Sequence, residues 1–113
     1  NNVHVASVNH NRDPRAYIRA LPLKAVGQIH LAGFARDIDA AGDPLLIDSH
    51  DAPVAQVVWD LYAFALDLLG PLPTLIERDG DIPVFPALLA EAQRADRIMR
   101  QQLAATAPAE ACA

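Results

Sequence analysis

The chain has 113 residues, of which 52% are hydrophobic, and its formal net charge is −5. The hydrophobic fraction suffices for one small domain, and an acidic chain without a basic cluster is not expected to bind nucleic acid. Its longest apolar stretches are far shorter than the roughly 20 residues of a membrane-spanning helix, so no membrane partner is expected.

The lone cysteine and the start of the chain add two further expectations. One cysteine, Cys112, cannot form an internal disulfide, which favours a reducing, cytoplasmic compartment. The chain begins at Asn1 within a polar segment. We therefore expect it to be the C-terminal part of a longer protein.

The first half of the chain predicts a loop, a helix and a strand. Residues 1–11 are polar and loop-like, and Asp13-Pro14 then opens a helix, because Asp is a good N-cap and Pro suits the first helical position. Residues 26–33 form a buried strand, 34–46 form a loop, and Leu45-Leu46-Ile47 is a short extended run that leads into Asp48. The buried stripe predicted for the helix consists of Tyr17, Ile18 and Leu21.

The second half predicts a helix, a short strand and a last helix. Apolar residues recur at helical spacing over 53–69, and Gly70-Pro71 ends that helix. Thr74-Leu75-Ile76-Glu77 is an apolar strand, and Pro83 opens the last helix. The inner face predicted for the last helix consists of Phe85, Leu88, Leu89, Ala92, Ile98, Met99 and Leu103.

Helices alternating with apolar strands are typical of an α/β fold with a parallel sheet. Two strands alone do not make a stable sheet with packed helices. We therefore expect residues 1–103 to be the C-terminal portion of a TIM (β/α)₈ barrel, about its last two strands with their helices. The Ala-rich residues 104–113 are expected to form a disordered tail.

Glu77 directly follows an apolar strand, at the end where barrel enzymes gather their functional groups. A carboxylate there is costly unless it is paired or binds a metal ion. Metal binding or catalysis is the favoured interpretation. The alternative is a salt bridge to Arg78 or to another basic group at the rim of the barrel.

Two further segments carry candidate ligands. Asp48 and His50 are two residues apart, so in extended backbone they point to the same side and can reach one ion. The alternatives are that Asp48 or Asp51 caps the next helix, a role we prefer for Asp51, and that His50 is an exposed loop residue. His30 lies in the first strand, where a lone histidine is more often a core residue than a ligand.

The remaining histidines are weaker candidates: His4 is expected at the surface and His10 in a loop. Trp59 is expected in the core. The candidate donors are oxygen and imidazole nitrogen, a set that suits iron, manganese or zinc.

Four motifs follow one another along the chain. They are Asn1-Asn2-Val3-His4-Val5 with Ser7-Val8-Asn9-His10, Ile29-His30-Leu31-Ala32-Gly33, Leu46-Ile47-Asp48-Ser49-His50-Asp51, and Thr74-Leu75-Ile76-Glu77. In this order they resemble the multinuclear non-haem iron-dependent oxidases, which are TIM-barrel proteins related to the methanobactin-maturation oxidase. The resemblance covers the chain to about residue 100. The sequence departs from the family pattern at Phe34, Asn11 and Arg78, where many members have His, Gly and an aromatic residue.

The resemblance implies a site with two or three iron ions that uses O2 to modify cysteine residues of ribosomally made precursor peptides. A separate partner protein would present the peptide. His50 and Glu77 would be the catalytic residues, and further ligands would lie upstream. The metal ligands implied are His30, Asp48, His50, Glu77 and, with a weaker match, Asn2.

Two other hypotheses remain open at this point. Other divalent-metal barrel enzymes, such as sugar isomerases of the xylose isomerase type, also place His, Asp and Glu on barrel strands. Alternatively, the chain is an inactive truncated or interaction fragment, because part of a barrel exposes strand edges and apolar helix faces.

Overall fold

The computed structural model describes residues 1–106 and has a mixed α/β architecture, which confirms the predicted α/β class. Cys112 and most of the Ala-rich tail lie outside the described residues. No helix among those described is long and apolar enough to cross a membrane. The elements are α1 (Asn2–Asn9), α2 (Pro14–Ala20), a 3₁₀ turn (Leu23–Ala25), β1 (Ile29–Leu31), β2 (Ala35–Ile38), β3 (Pro44–Ile47), α3 (Gln56–Leu69), β4 (Thr74–Ile76) and α4 (Phe85–Thr106).

The predicted parallel sheet is confirmed as a two-stranded pair. β1 and β4 run parallel with Ile29 opposite Thr74 and Leu31 opposite Ile76, and α3 lies between them in the chain. The apolar strand residues and the helix that separates them account for this crossover. The ends of both strands therefore lie side by side at one edge.

The extended run predicted for Leu45-Leu46-Ile47 is confirmed as part of β3, but the loop predicted before it is wrong, because β2 forms there and the two strands make an antiparallel hairpin. β2 and β3 pair with Ala35 opposite Ile47 and Ile38 opposite Pro44. The exposed, polar β2 carries no apolar run that would mark it as a strand. Its partner β3 is anchored by Leu46, which is buried in the core.

The loop predicted for residues 1–11 is also wrong, because α1 occupies most of it. Val5 packs in the core and His4 is buried, so the expected surface position of His4 is wrong as well. Burial of this face overrides the weak helix propensity of the valines. Asn11 ends the helix at φ 49°, and the Arg12 amide donates to the Ser7 carbonyl over 2.8 Å, as in a Schellman cap.

The core is one cluster of buried side chains from α1, β1, β3, α3 and α4, together with residues of the loops next to them. Trp59 and Tyr62 are each 2% exposed, which confirms the core position predicted for Trp59, and Gly70 ends α3 as expected. The last helix begins at Phe85 rather than Pro83. The core cluster consists of Val5, Leu31, Phe34, Leu46, Val54, Val58, Trp59, Tyr62, Leu66 and Ala95.

Several residues that were predicted to pack inward are exposed, because α2 and α4 present those sides to solvent. Tyr17 is 54% exposed, whereas Ile18 beside it is buried as expected. In α4 the exposed positions are Phe85 at 71%, Leu89 at 42%, Leu103 at 44% and Ala92. Asp51 does not cap α3: the N-cap residue is Ala55, and the Asp51 carboxylate accepts a hydrogen bond from the Ser49 hydroxyl.

Candidate metal centre

A cluster of imidazoles and carboxylates lies where β1, β3 and β4 end. His30 Nδ1 is 3.0 Å from Glu77 Oε1. The Glu77 amide donates to the Leu31 carbonyl over 2.8 Å, which extends the parallel ladder by one residue and fixes the start of the loop after β4. Two residues from distant parts of the sequence are thus brought into contact by strand pairing.

His50 is the most connected side chain of this cluster. Its Nε2 is 3.0 Å from Asp48 Oδ1, and its Nδ1 is 3.0 Å from Asp79 Oδ2 and 3.6 Å from Glu77 Oε2. The backbone of His50 is left-handed, with φ 53°. That conformation is uncommon outside glycine, although His adopts it more readily than most residues, and it persists where the surrounding structure holds the residue in place.

The cluster opens into a cavity of about 380 Å³. His50 and Glu77 are the more enclosed members, with side chains 19% and 25% exposed, whereas His30 is 46% exposed. The opposite wall is apolar and includes Tyr62, whose hydroxyl lies 2.9 Å from the Thr74 hydroxyl. Burial raises the pKa of Tyr62, so its phenol stays protonated near neutral pH.

The two N-terminal asparagines both line this cavity but differ in their contacts. Asn2, the predicted ligand, is exposed. The Asn1 amide nitrogen donates to the Asp48 carboxylate and, over 3.1 Å, to the Gly33 carbonyl. Within residues 1–106 the Asn1 Oδ1 atom is buried without a hydrogen-bond partner. Asn1 is therefore an additional candidate donor that the sequence did not indicate.

The donors are arranged in pairs. Across the part of the chain that the structure describes, no three His, Cys, Asp or Glu side chains are placed to share one metal ion. In the pairs His30–Glu77 and Asp48–His50 the nitrogen and oxygen atoms are 3.0 Å apart. Two neighbouring ligand atoms of an octahedral ion are separated by the same distance when each lies about 2.1 Å from the ion. Each pair therefore fits two positions of a coordination sphere in donor type and spacing.

The salt bridge considered between Glu77 and Arg78 is not formed, because these neighbours face different partners. Arg78 pairs with Glu91 on α4 over 3.4 Å, while both oxygens of Glu77 face imidazoles. Asp79, which was not among the candidate ligands predicted from the sequence, joins the cluster. Its position two residues after Glu77 repeats the spacing of Asp48 and His50, and this spacing is the one signal that could have indicated it from the sequence.

Comparison with known proteins identifies the class. A model of the family described as RiPP precursor modification enzyme MbnB/TglH/ChrH matches residues 1–100, so the chain belongs to this family. Its members are described as modifying the precursors of ribosomally made peptides. The match confirms the family to which the resemblance pointed, at the level of this description.

The curated relatives are named UPF0276 proteins, a name that states no activity. The chain is 58% identical over 107 residues to a UPF0276 protein of Bordetella bronchiseptica and 52% identical over 109 residues to one of Caulobacter vibrioides. These alignments cover 95% and 96% of the chain but 37% and 38% of the relatives. The chain thus spans a little over a third of their length. No solved structure matches it.

Proposed function

We propose that this chain is the C-terminal share of a multinuclear non-haem iron oxidase that modifies cysteine residues of ribosomally made precursor peptides with O2. The observation that carries the proposal is the pairing of His30 with Glu77 and of Asp48 with His50 beside the ends of two parallel strands. The family match supports a peptide as the substrate.

The proposal assigns residues 1–103 to one TIM barrel. Functional groups of such barrels gather at the C-terminal ends of the strands, and Glu77 directly follows β4. The relatives of this family are nearly three times as long as the aligned region. On this proposal the remaining strands and ligands would come from the part of such proteins that the alignments do not cover.

Within the site, the pair Asp48–His50 would hold one iron ion and His30 would be a terminal ligand of another. The two oxygens of Glu77 face His30 and His50, so Glu77 would help to hold iron beside both imidazoles. Two or three ions are expected, with Asn2 as a further ligand. Bound iron would supply the redox chemistry by which O2 oxidises a thiol.

The cavity beside the cluster gives the substrate a place to bind. Its apolar wall, which includes Val58, Tyr62 and Ala65, would exclude water and pack against the peptide near its cysteine. The proposed partners are a cysteine-containing precursor peptide and a separate protein that presents it. We place the reaction in the cytoplasm, where the substrate thiol stays reduced.

The assignment is tested by metal analysis of the full-length protein after anaerobic loading with Fe(II). Glu77→Gln and His50→Ala are each expected to lose iron, because each removes a donor that contacts other cluster members. His10→Ala removes an exposed histidine outside the cluster and is the matched control. Unchanged iron content in both site variants would overturn the assignment.

Activity is tested separately by O2 uptake. Iron-loaded full-length protein is expected to consume O2 when a cysteine-containing precursor peptide and its presenting protein are added, and not when the cysteine is replaced by serine. Strict dependence on Mg²⁺ or Zn²⁺ without O2 uptake would instead favour a barrel enzyme of the sugar isomerase type.

A further inference from the structure

We infer that Asp79 is a positioning residue that sets the tautomer of His50, so that Nδ1 carries the proton and Nε2 presents its lone pair towards Asp48. The inference deepens the proposed function, on which its metal-binding part rests. Asp79 Oδ2 lies 3.0 Å from His50 Nδ1. A carboxylate that accepts the second N–H of a metal-ligating histidine fixes the orientation and basicity of the ring.

The carboxylates around His50 favour a proton on Nδ1. Two carboxylate oxygens, from Asp79 and Glu77, face Nδ1 at 3.0 and 3.6 Å. Nε2 faces only Asp48 Oδ1, and that oxygen already accepts a hydrogen bond from the Asn1 amide. Because ionised carboxylates only accept hydrogen bonds, the single proton of a neutral imidazole is better stabilised on Nδ1.

This tautomer creates a place for a cation. With the proton on Nδ1, His50 Nε2 and Asp48 Oδ1 are two acceptor atoms 3.0 Å apart. Two acceptors at that distance repel each other unless a positive charge lies against both. The lone pair of Nε2 is therefore available to an ion that Asp48 also contacts.

Asp79 is held in place by its backbone rather than by burial, since its side chain is 74% exposed. Its amide donates to the His50 carbonyl over 2.8 Å. The preceding residue, Arg78, has a side chain only 7% exposed and is paired with Glu91. The following residue, Gly80, packs closely against Asp51. The loop after β4 is thus fixed on both sides of Asp79.

The tautomer can be measured without metal. In metal-free full-length protein at a pH where His50 is neutral, the ¹⁵N shifts of its ring are expected to report a proton on Nδ1. Asp79→Ala is expected to move the population towards Nε2–H, and Asp79→Asn, whose amide oxygen still accepts, to retain part of the Nδ1–H form. A merely structural role for Asp79 would not produce this order.

Metal affinity gives the second readout. Competition titration with Fe(II) is expected to show a roughly 10–100-fold loss of affinity in Asp79→Ala, the range found when such supporting carboxylates are removed. Asp81→Asn is the matched control: it removes a charge from the same turn, where Asp81 gives its carbonyl, not its carboxylate, to Arg78. Asn also tolerates the φ of 44° at this position.

The outcomes separate the two proposals. If Asp79→Ala leaves the ring shifts as in the parent protein, the inference is wrong whether or not iron binds. An affinity loss no larger than that of Asp81→Asn would also overturn it. If the parent protein binds no iron but the ring shifts change as expected, the proposed function fails while the role of Asp79 in setting the tautomer stands.

Discussion

Arg78 and Glu91 form an ion pair over 3.4 Å whose side chains are only 7% and 16% exposed. Glu91 also accepts a hydrogen bond from the Val54 amide over 2.7 Å, just before α3 begins. One carboxylate on α4 therefore ties the loop that follows Glu77 to the loop that follows His50. These are the two loops that carry the candidate site.

Removing this carboxylate should destabilise the fold strongly. Glu91→Ala leaves the Arg78 charge and the Val54 amide without their partner, and breaking a buried pair in this way costs about 3–5 kcal/mol. Urea unfolding measures the loss. The matched control is Arg100→Ala, because Arg100 and Asp96 form a pair that is 77% and 55% exposed. That control should cost at most about 1 kcal/mol, and equal losses in both variants would contradict the expectation.

Acid should destabilise the protein partly through His4. This ring is buried against Phe34, with centroids 5.1 Å apart, and burial lowers its pKa in the folded state. Above the ordinary histidine pKa of about 6.5 both states are neutral and the group contributes no pH dependence. Below this pH the unfolded chain binds a proton that the folded chain resists, so the free energy of unfolding decreases as the pH is lowered.

His4→Gln should therefore flatten the loss of stability between neutral pH and about pH 5 relative to the parent protein. Urea unfolding at several pH values measures the slope. Since Gln keeps a polar side chain without a titrating ring, any general loss from poorer packing appears equally at all pH values. A slope identical to that of the parent would rule out His4 as its source.

At position 11, replacement of Asn11 by glycine should preserve stability better than replacement by any β-branched residue. Its φ of 49° is left-handed, where Asn is tolerated, glycine is unstrained and β-branched side chains clash. Asn11→Gly is expected to change stability by less than about 1 kcal/mol, whereas Asn11→Val should cost about 1–3 kcal/mol. Thermal unfolding compares them. A valine variant as stable as the glycine variant would show that the Schellman cap of α1 is not formed.

Gly33 should not accept a methyl group. A Cβ atom at this position would overlap the backbone of Ala52, because the chain after β1 packs directly against the loop after β3. Gly33→Ala is expected to cost about 1–3 kcal/mol, the usual range for overpacking. Gly27→Ala is the control, since a Cβ there meets nothing within 4 Å. Equal stability of the two variants would exclude this close approach.

The parts of the fold that the sequence predicted are those with a strong local signal. α3 has apolar residues at helical spacing and ends at Gly70, and α2 begins at Asp13, whose carboxylate accepts from the Arg15 amide. The parallel pairing of β1 and β4 follows from apolar strands separated by a helix. The helix limits depend on residues close together in the chain, whereas the pairing of β1 with β4 follows from the order of apolar strands and helices along it.

The parts that the sequence did not predict depend on distant contacts. The valines of α1 alternate like a strand, and the helix forms because Val5 reaches the core and the Asn9 side chain bonds both backbone groups of Leu46. β2 is polar and becomes a strand by pairing with β3. In the site, the contacts of Asn1 and Asp79 arise only once the strand ends have been brought together.

β1 and β4 are neighbours in space although a hairpin and a helix separate them in the chain. Their candidate ligands, His30 and Glu77, are therefore in contact although they are distant in the sequence. An ion that contacted residues from both strands would act as a thermodynamic cross-link. It would close a long loop, and by mass action the free energy of unfolding would rise with the logarithm of the ion concentration once that exceeds the dissociation constant. Depletion of the ion would then lower folding stability as well as turnover, so the abundance of the protein in a cell would follow its metal supply.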